Sequence, residues 1–282
     1  MPSFTAPDAL RPLLSAALLV ALAGCSTAAA PPATAVEASV TTKAVGYLAA
    51  DAVPASLALV PAPPAAGSAG FALDEQVSGE ARRLRGSPRF AQAHRDAELG
   101  FPAGANQFSC AIDVDVDAVQ TPALYRLLER SRADASAATR TAKKHYQRAR
   151  PFMLNGEPTC TPEDEQELRG NGSYPSGHTS IGWAWALILA EIAPDRADAI
   201  QARGRNYGES RLVCNVHWQS DILEGRFMGA AAVARLHDDA AFNKDLLAAR
   251  KEIAAARKAG RHSSRDCAAE EAVLKVRPAS AL

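Results

Sequence analysis

The sequence predicts an all-α protein, a single helical-bundle domain, on three observations. Apolar residues recur at helical spacing through several long segments, helix-start signals precede them, and strand signals are nearly absent. Only Ile112, Val114 and Val116 alternate in a strand-like way, over too short a run to define a sheet. At 282 residues, 48% hydrophobic and 22% charged, the chain is long enough for one sizeable core.

Taken in order, residues 13–22 form an apolar run of signal-peptide length, shorter than a bilayer span, so residues 1–24 read as a signal peptide. Leu22, Ala23, Gly24 and Cys25 resemble a bacterial lipobox, which implies cleavage before Cys25 and acylation of its thiol. The alternative is an ordinary secretory signal cut at residues 28–30. No later segment approaches the roughly 18 apolar residues of a membrane span. Residues 25–67, rich in Ala, Pro, Thr and Val, read as a tether or a surface-wrapping arm.

Helical patterning then dominates. Thr121 as N-cap and Pro122 at the first helical position start a helix whose Leu124, Leu127 and Leu128 stripe leads toward Tyr146. Further helices are expected over 179–192, 195 to about 213, 217–237 and 242 to about 259. The domain is thus expected over 68–260, and residues 261–282 as a polar tail, disordered after about His262.

A formal net charge of zero gives no global basic field of the kind nucleic-acid binders use. Cations that matter must be locally concentrated, which points to a small anionic ligand. Cys25 apart, four cysteines remain, an even number that allows three pairings and suits an oxidising compartment. Cys160 with Cys214 is favoured, since both flank the segments discussed next, leaving Cys110 with Cys267.

Three clusters carry the chemistry. Lys143 and Arg150 are seven residues apart, which on a helix puts both cations within about 20° of each other. Pro151 disfavours helical geometry at Arg150, so the helix should end there. Alone, this segment reads as readily as a solvated basic stripe shared with Arg140, Lys144 and Arg148. Pro175, Ser176, Gly177 and His178 precede a strongly apolar helix. A helix start offers unpaired N–H groups to an anion, Gly177 lets the backbone approach it, Ser176 caps or binds phosphate, and His178 at the rim suits a proton donor. Gly170, Asn171 and Gly172 read as a flexible loop leading in. His217 and Asp221 are i and i+4 at an expected helix start, where the carboxylate would orient the imidazole, and Arg211 supplies a bidentate clamp. Such a His-Asp pair is common on helix surfaces; the conjunction of eleven positions in three ordered blocks is not.

These blocks (Lys143, Arg150 and Pro151; Pro175 to His178; Ser210, Arg211, His217 and Asp221) match the signature of the type 2 phosphatidic acid phosphatase superfamily, and the chain most resembles the bacterial class A non-specific acid phosphatases, from about residue 57 to 258. The resemblance implies a metal-independent, cofactor-less acid phosphatase acting on small phosphomonoesters such as nucleotides and sugar and aryl phosphates, through a phosphohistidine. It makes His217 the nucleophile, His178 the acid and Asp221 the orienting carboxylate, with Lys143, Arg150, Ser176, Gly177 and Arg211 holding the phosphate. Activity should peak in acid, with phosphotransfer as a side reaction. Cys110 with Cys267 and the lipobox depart from that family's pattern. A vanadium haloperoxidase or a lipid phosphate phosphatase would use the same pocket, and a non-catalytic anion-binding lipoprotein is the remaining alternative; an exported homo-oligomer stays open. Asp113, Asp115 and Asp117 imitate an EF-hand opening, but Ala118 and Leu124 occupy its glycine and glutamate positions.

Overall fold

The computed structural model describes residues 44–282; the signal-peptide and Cys25 expectations lie outside these residues. In chain order the helices are α1 (Ser56–Leu59), α2 (Ala69–Arg82), α3 (Pro88–Arg95), α4 (Ser109–Ile112), α5 (Pro122–Ala137), α6 (Arg140–Tyr146) and α7 (Pro151–Asn155). Then come α8 (Glu165–Arg169), α9 (Gly177–Ile192), α10 (Ala197–Val213), α11 (Gln219–Leu236), α12 (Ala240–Lys258) and α13 (Cys267–Leu274). Among the described residues there is no strand, and no helix long and apolar enough to cross a membrane. Ile112, Val114 and Val116 are buried in the core, Ile112 at the end of α4 and the two valines in the irregular chain after it.

Helix α9 is the centre of the bundle because its sequence is apolar almost all round. Ile181, Trp185, Ile188 and Leu189 are buried, with α5, α10 and α11 packed against them. Trp185 donates its indole N–H to Leu128 O (2.9 Å) and Ser180 Oγ to Ala135 O (2.8 Å), fixing α9 against α5. Glycines bring α10 and α11 close to the first turn of α9. A Cβ on Gly225 would stand 2.7 Å from Ser176 O, and one on Gly208 would stand 2.8 Å from Thr179 Cγ2.

The expected helix from Thr121 toward Tyr146 is two helices, α5 and α6, broken at Ala138 and Thr139. Thr121 does not cap α5, because its hydroxyl is taken up with Asp117. The Glu252 carboxylate of α12 caps it instead, accepting the N–H groups of Ala123 (3.0 Å) and Leu124 (2.9 Å).

Both ends of the described chain pack onto the bundle. Tyr47 is buried, its N–H and that of Leu48 bond the Asp134 carboxylate, its hydroxyl reaches Asp245 (2.8 Å), and Arg130 stacks on its ring. The polar tail expected to be disordered is instead folded. It contains α13, Cys267 pairs with Cys110, Arg277 bridges the fully buried Glu209, and Ser280 bonds Glu80. Its polarity reflects polar partners, since the buried Glu209 carboxylate on α10 needs the cation that Arg277 brings from it.

Candidate active site

A cavity of about 480 Å³ opens where α6, α9, the end of α10 and the approach to α11 meet, and Lys143, Arg150, Gly177, His178, Arg211 and His217 line it. Lys143 and Arg150 converge, but not by helix phase. Helix α6 ends at Tyr146, Gln147 turns the chain with φ of 44°, and Arg150 is the extended residue capping α7. The two cations meet over the loop at 168–173. Lys143 Nζ donates to Gly172 O (2.8 Å) and Ser173 O (3.2 Å), and Arg150 Nε to Leu168 O (3.0 Å) and Asn171 O (3.1 Å). The loop expected to be flexible is thus clamped, because buried cations need acceptors. Gly172 fits there since a Cβ would stand 2.8 Å from Lys143 O. Burial, then the neighbouring Arg150, pushes the Lys143 ammonium down to about 7, against the pull of Asp221.

Ser176 caps α9: its Oγ accepts from Thr179 N (3.2 Å) and Thr179 Oγ1 (3.0 Å), and its own N–H bonds Asp221 O (2.9 Å). It lies fully buried behind the cavity wall, whereas Gly177 and His178 face the cavity. His178 Nε2 donates to the Ala97 carbonyl (2.9 Å), so in the neutral ring Nδ1 carries the lone pair. Burial, then Arg211, holds His178 well below the usual histidine range.

His217 precedes α11 rather than riding on it; Trp218 is the cap and Asp221 the third helical residue. The pair therefore forms by Asp221 reaching back over the helix start, not by sharing a helix face. One carboxylate oxygen accepts both Trp218 N (2.8 Å) and His217 Nδ1 (3.1 Å). With Nδ1–H committed, Nε2 holds the lone pair, 3.2 Å from Arg150 Nη1. Burial first, then Arg150, Lys143, Arg211 and Arg148, keeps His217 well below the usual range. The turn leading to it is pinned by the Cys160–Cys214 disulfide and by Asn215 at φ of 63°.

Arg211 is buried on the last turn of α10, and its Nε and Nη1 have no partner among the described residues. Burial lowers it to about 10, still a cation at neutral pH. Donors left unsatisfied at a cavity wall fit an anionic ligand. Ser210, its neighbour in the motif, points the other way, donating to Asp96 and accepting from Arg89 (2.9 Å).

Arg148 is the residue that sequence reasoning misplaced. Grouped with a solvated basic stripe, it is in fact nearly buried, bonded to Asp221 (2.7 Å), Ser220 (2.7 Å) and Asp74 (2.7 Å). No helical spacing signalled this, since it lies past the end of α6 and Asp74 is 74 residues earlier. Asp113 and Asp115, from the EF-hand-like run, bond His262 and Ser264 in the tail.

A cavity lined by buried cations and a helix start, beside a carboxylate-held histidine on an all-α bundle, suits the binding of a phosphate group. The PAP2 superfamily model matches residues 132–244, the stretch that carries every one of these cavity groups. The chain is 44% identical to a non-specific acid phosphatase of Providencia stuartii, over 72% of this chain and 82% of that one. It is 43% identical to an acid phosphatase of Zymomonas mobilis (69% and 74%) and 40% identical to a non-specific acid phosphatase of Salmonella typhimurium (69% and 78%). The chain belongs to the bacterial class A acid phosphatases of the PAP2 superfamily. It is an enzyme that hydrolyses phosphomonoesters.

Proposed function

We propose that this enzyme hydrolyses a broad range of phosphomonoesters through a phosphohistidine at His217, without a metal. One observation carries the reading: His217 has its Nδ1–H on Asp221 and its Nε2 turned to a cavity that also holds Lys143, Arg150 and Arg211. Nε2 attacks phosphorus, the N–P bond forms as the ester P–O bond breaks, and the departing alkoxide takes a proton from Nδ1 of His178. Lys143, Arg150, Arg211 and the Gly177 N–H hold the three equatorial oxygens, while Ser176 supports Gly177 from behind as the cap of α9. Water then attacks phosphorus, gives a proton back to His178, and the N–P bond breaks to release inorganic phosphate.

A dianionic substrate offsets the cations that depress His178, so its proton affinity rises as substrate binds. His217, held by Asp221 but surrounded by four cations, stays unprotonated; acid therefore suits both roles. An alcohol in place of water would give phosphotransfer. In the cell we place the enzyme outside the cytoplasm, with Cys25 as the site of a lipid anchor; labelled palmitate that fails to mark the wild-type protein would remove the anchor.

A substrate panel with purified enzyme tests the reading. Nucleotides, sugar phosphates and aryl phosphates should all be turned over in the presence of chelator, and added alcohols should yield new phosphoesters. Turnover of a single ester, or loss in chelator restored by a divalent ion, would contradict it.

A further inference from the structure

Asp221 divides its two oxygens between two tasks. Oδ2 takes His217 Nδ1 and Trp218 N; Oδ1 is held by Arg148 Nη1 at 2.7 Å. The same Nη1 donates to Ser220 Oγ (2.7 Å), and Nη2 to Asp74 Oδ2 (2.7 Å), while Asp74 also accepts Ser220 N (2.8 Å) and Ser220 Oγ (2.6 Å). The Arg148 side chain is 9% exposed, Asp74 2% and Asp221 0%, and the guanidinium lies over the Trp218 ring. Arg148 is the only partner of Oδ1 among the described residues, so it fixes the rotation of the carboxylate that aims Oδ2 at the imidazole.

Three buried charges in a row are a poor way to gain stability, because desolvation consumes most of the Coulomb attraction. A packed apolar cluster would serve as well. We propose that Arg148 is a positioning residue of the reaction, acting through Asp221 to orient His217, with Asp74 holding the guanidinium in place. The inference rests on His217 being the nucleophile.

The groups facing His217 are Arg150 from the start of α7, Lys143 from α6, Arg211 from α10, His178 from α9, and Asp221 from α11, with Arg148 behind it. Asp74 from α2 faces Arg148, and Tyr174 lies near both Asp221 and Arg148. Removing Arg148 takes a cation from around His217 and leaves the Asp221 charge less compensated. Both changes raise the proton affinity of His217. Removing the charge of Asp74 takes away an anion, which lowers that affinity or leaves it alone. A purely structural clasp would loosen in both cases and move neither.

The test compares the wild-type enzyme with Arg148→Gln, Arg148→Lys and Asp74→Asn, by imidazole nitrogen NMR titration of His217 and by kcat and KM on an aryl phosphate across the acid range. In Arg148→Gln the His217 midpoint and the acid limb of kcat/KM should rise by about one pH unit. Its kcat should fall about tenfold or more, while KM stays within about twofold. Arg148→Lys should keep the low midpoint yet lose kcat, since a point charge does not reproduce the two-pronged hold. Asp74→Asn should not raise the midpoint. A folded Arg148→Gln protein with an unmoved midpoint, or an equal rise in Asp74→Asn, would overturn the inference. If Arg148→Gln does not fold, Arg148→Lys decides: reduced kcat supports the role and unchanged kcat contradicts it. Wild-type enzyme that forms no phosphoenzyme at residue 217 would sink the nucleophile reading, and this inference with it, a failure visible before any variant is made.

Discussion

Arg150 Nη1 stands 3.2 Å from Nε2 of His217, the nitrogen opposite the one that Asp221 holds. The imidazole of His217 thus has one nitrogen anchored by a carboxylate and the other covered by a cation. Asp221→Asn tests the anchor. An amide can still accept Trp218 N, but its NH2 can turn toward His217 and favour the wrong tautomer. The expected loss in kcat is on the order of 10²–10⁴-fold with little change in the fold. A loss under about threefold in steady-state assays would show that tautomer control is unimportant.

The depressed Lys143 predicts how binding depends on pH. With its ammonium pushed down to about 7 by burial and Arg150, the cation is favoured below that pH and lost above it. KM should rise as pH climbs through about 7, whereas kcat should hold to higher pH because bound phosphate favours the charged amine. In Lys143→Gln the KM should be higher throughout and this part of its pH dependence should vanish. A wild-type KM that is flat across that range would contradict the assignment.

Two glycines near the pocket separate framework from binding. A Cβ at Gly225 would sit 2.7 Å from Ser176 O and 2.9 Å from Thr179 Cβ, wedging α11 from the start of α9. Gly225→Ala should cost about 1–3 kcal/mol in denaturant unfolding and most of the activity. At Gly177 an added Cβ meets only Thr139 Oγ1 at 3.6 Å and Lys143 Cε at 3.7 Å, ordinary contacts. Gly177→Ala should leave stability within about 0.5 kcal/mol and act on phosphate affinity instead. Equal destabilisation of the two variants would refute the distinction.

The disulfides should also part company. Cys110–Cys267 straps the C-terminal tail to α4, away from the cavity, so its double Ser variant should lose about 2–5 kcal/mol of stability while kcat survives below the melting temperature. Cys160–Cys214 pins the turn between Arg211 and His217, so its removal should lower kcat as well. Melting curves read alongside kcat distinguish the two patterns.

What the sequence revealed and what it hid follow from the range of each interaction. The motif blocks, the cap at Ser176 and the non-helical geometry of Arg150 before Pro151 were legible because local chemistry specifies them, whereas the helix expected to end at Arg150 already ends at Tyr146. The pairing of Lys143 with Arg150 was anticipated for a wrong reason: helix phase fails when Gln147 ends α6, and the loop carbonyls at 168–173 bring the cations together. Likewise His217 meets Asp221 through a helix start rather than a helix face. Glu252 capping α5, Asp74 holding Arg148 and Arg277 covering Glu209 join residues far apart in sequence, with no periodicity to mark them. The folded tail was misread for the same reason, since polar residues there pair with buried charges.

The most direct measurement of the central claim is acid-stable or base-stable trapping of phosphoenzyme after rapid quench with labelled aryl phosphate. A phosphoramidate on His217 should survive base and be lost in acid, and His217→Ala should show no label and no turnover. A full burst of labelled phosphoenzyme in His217→Ala would contradict the account.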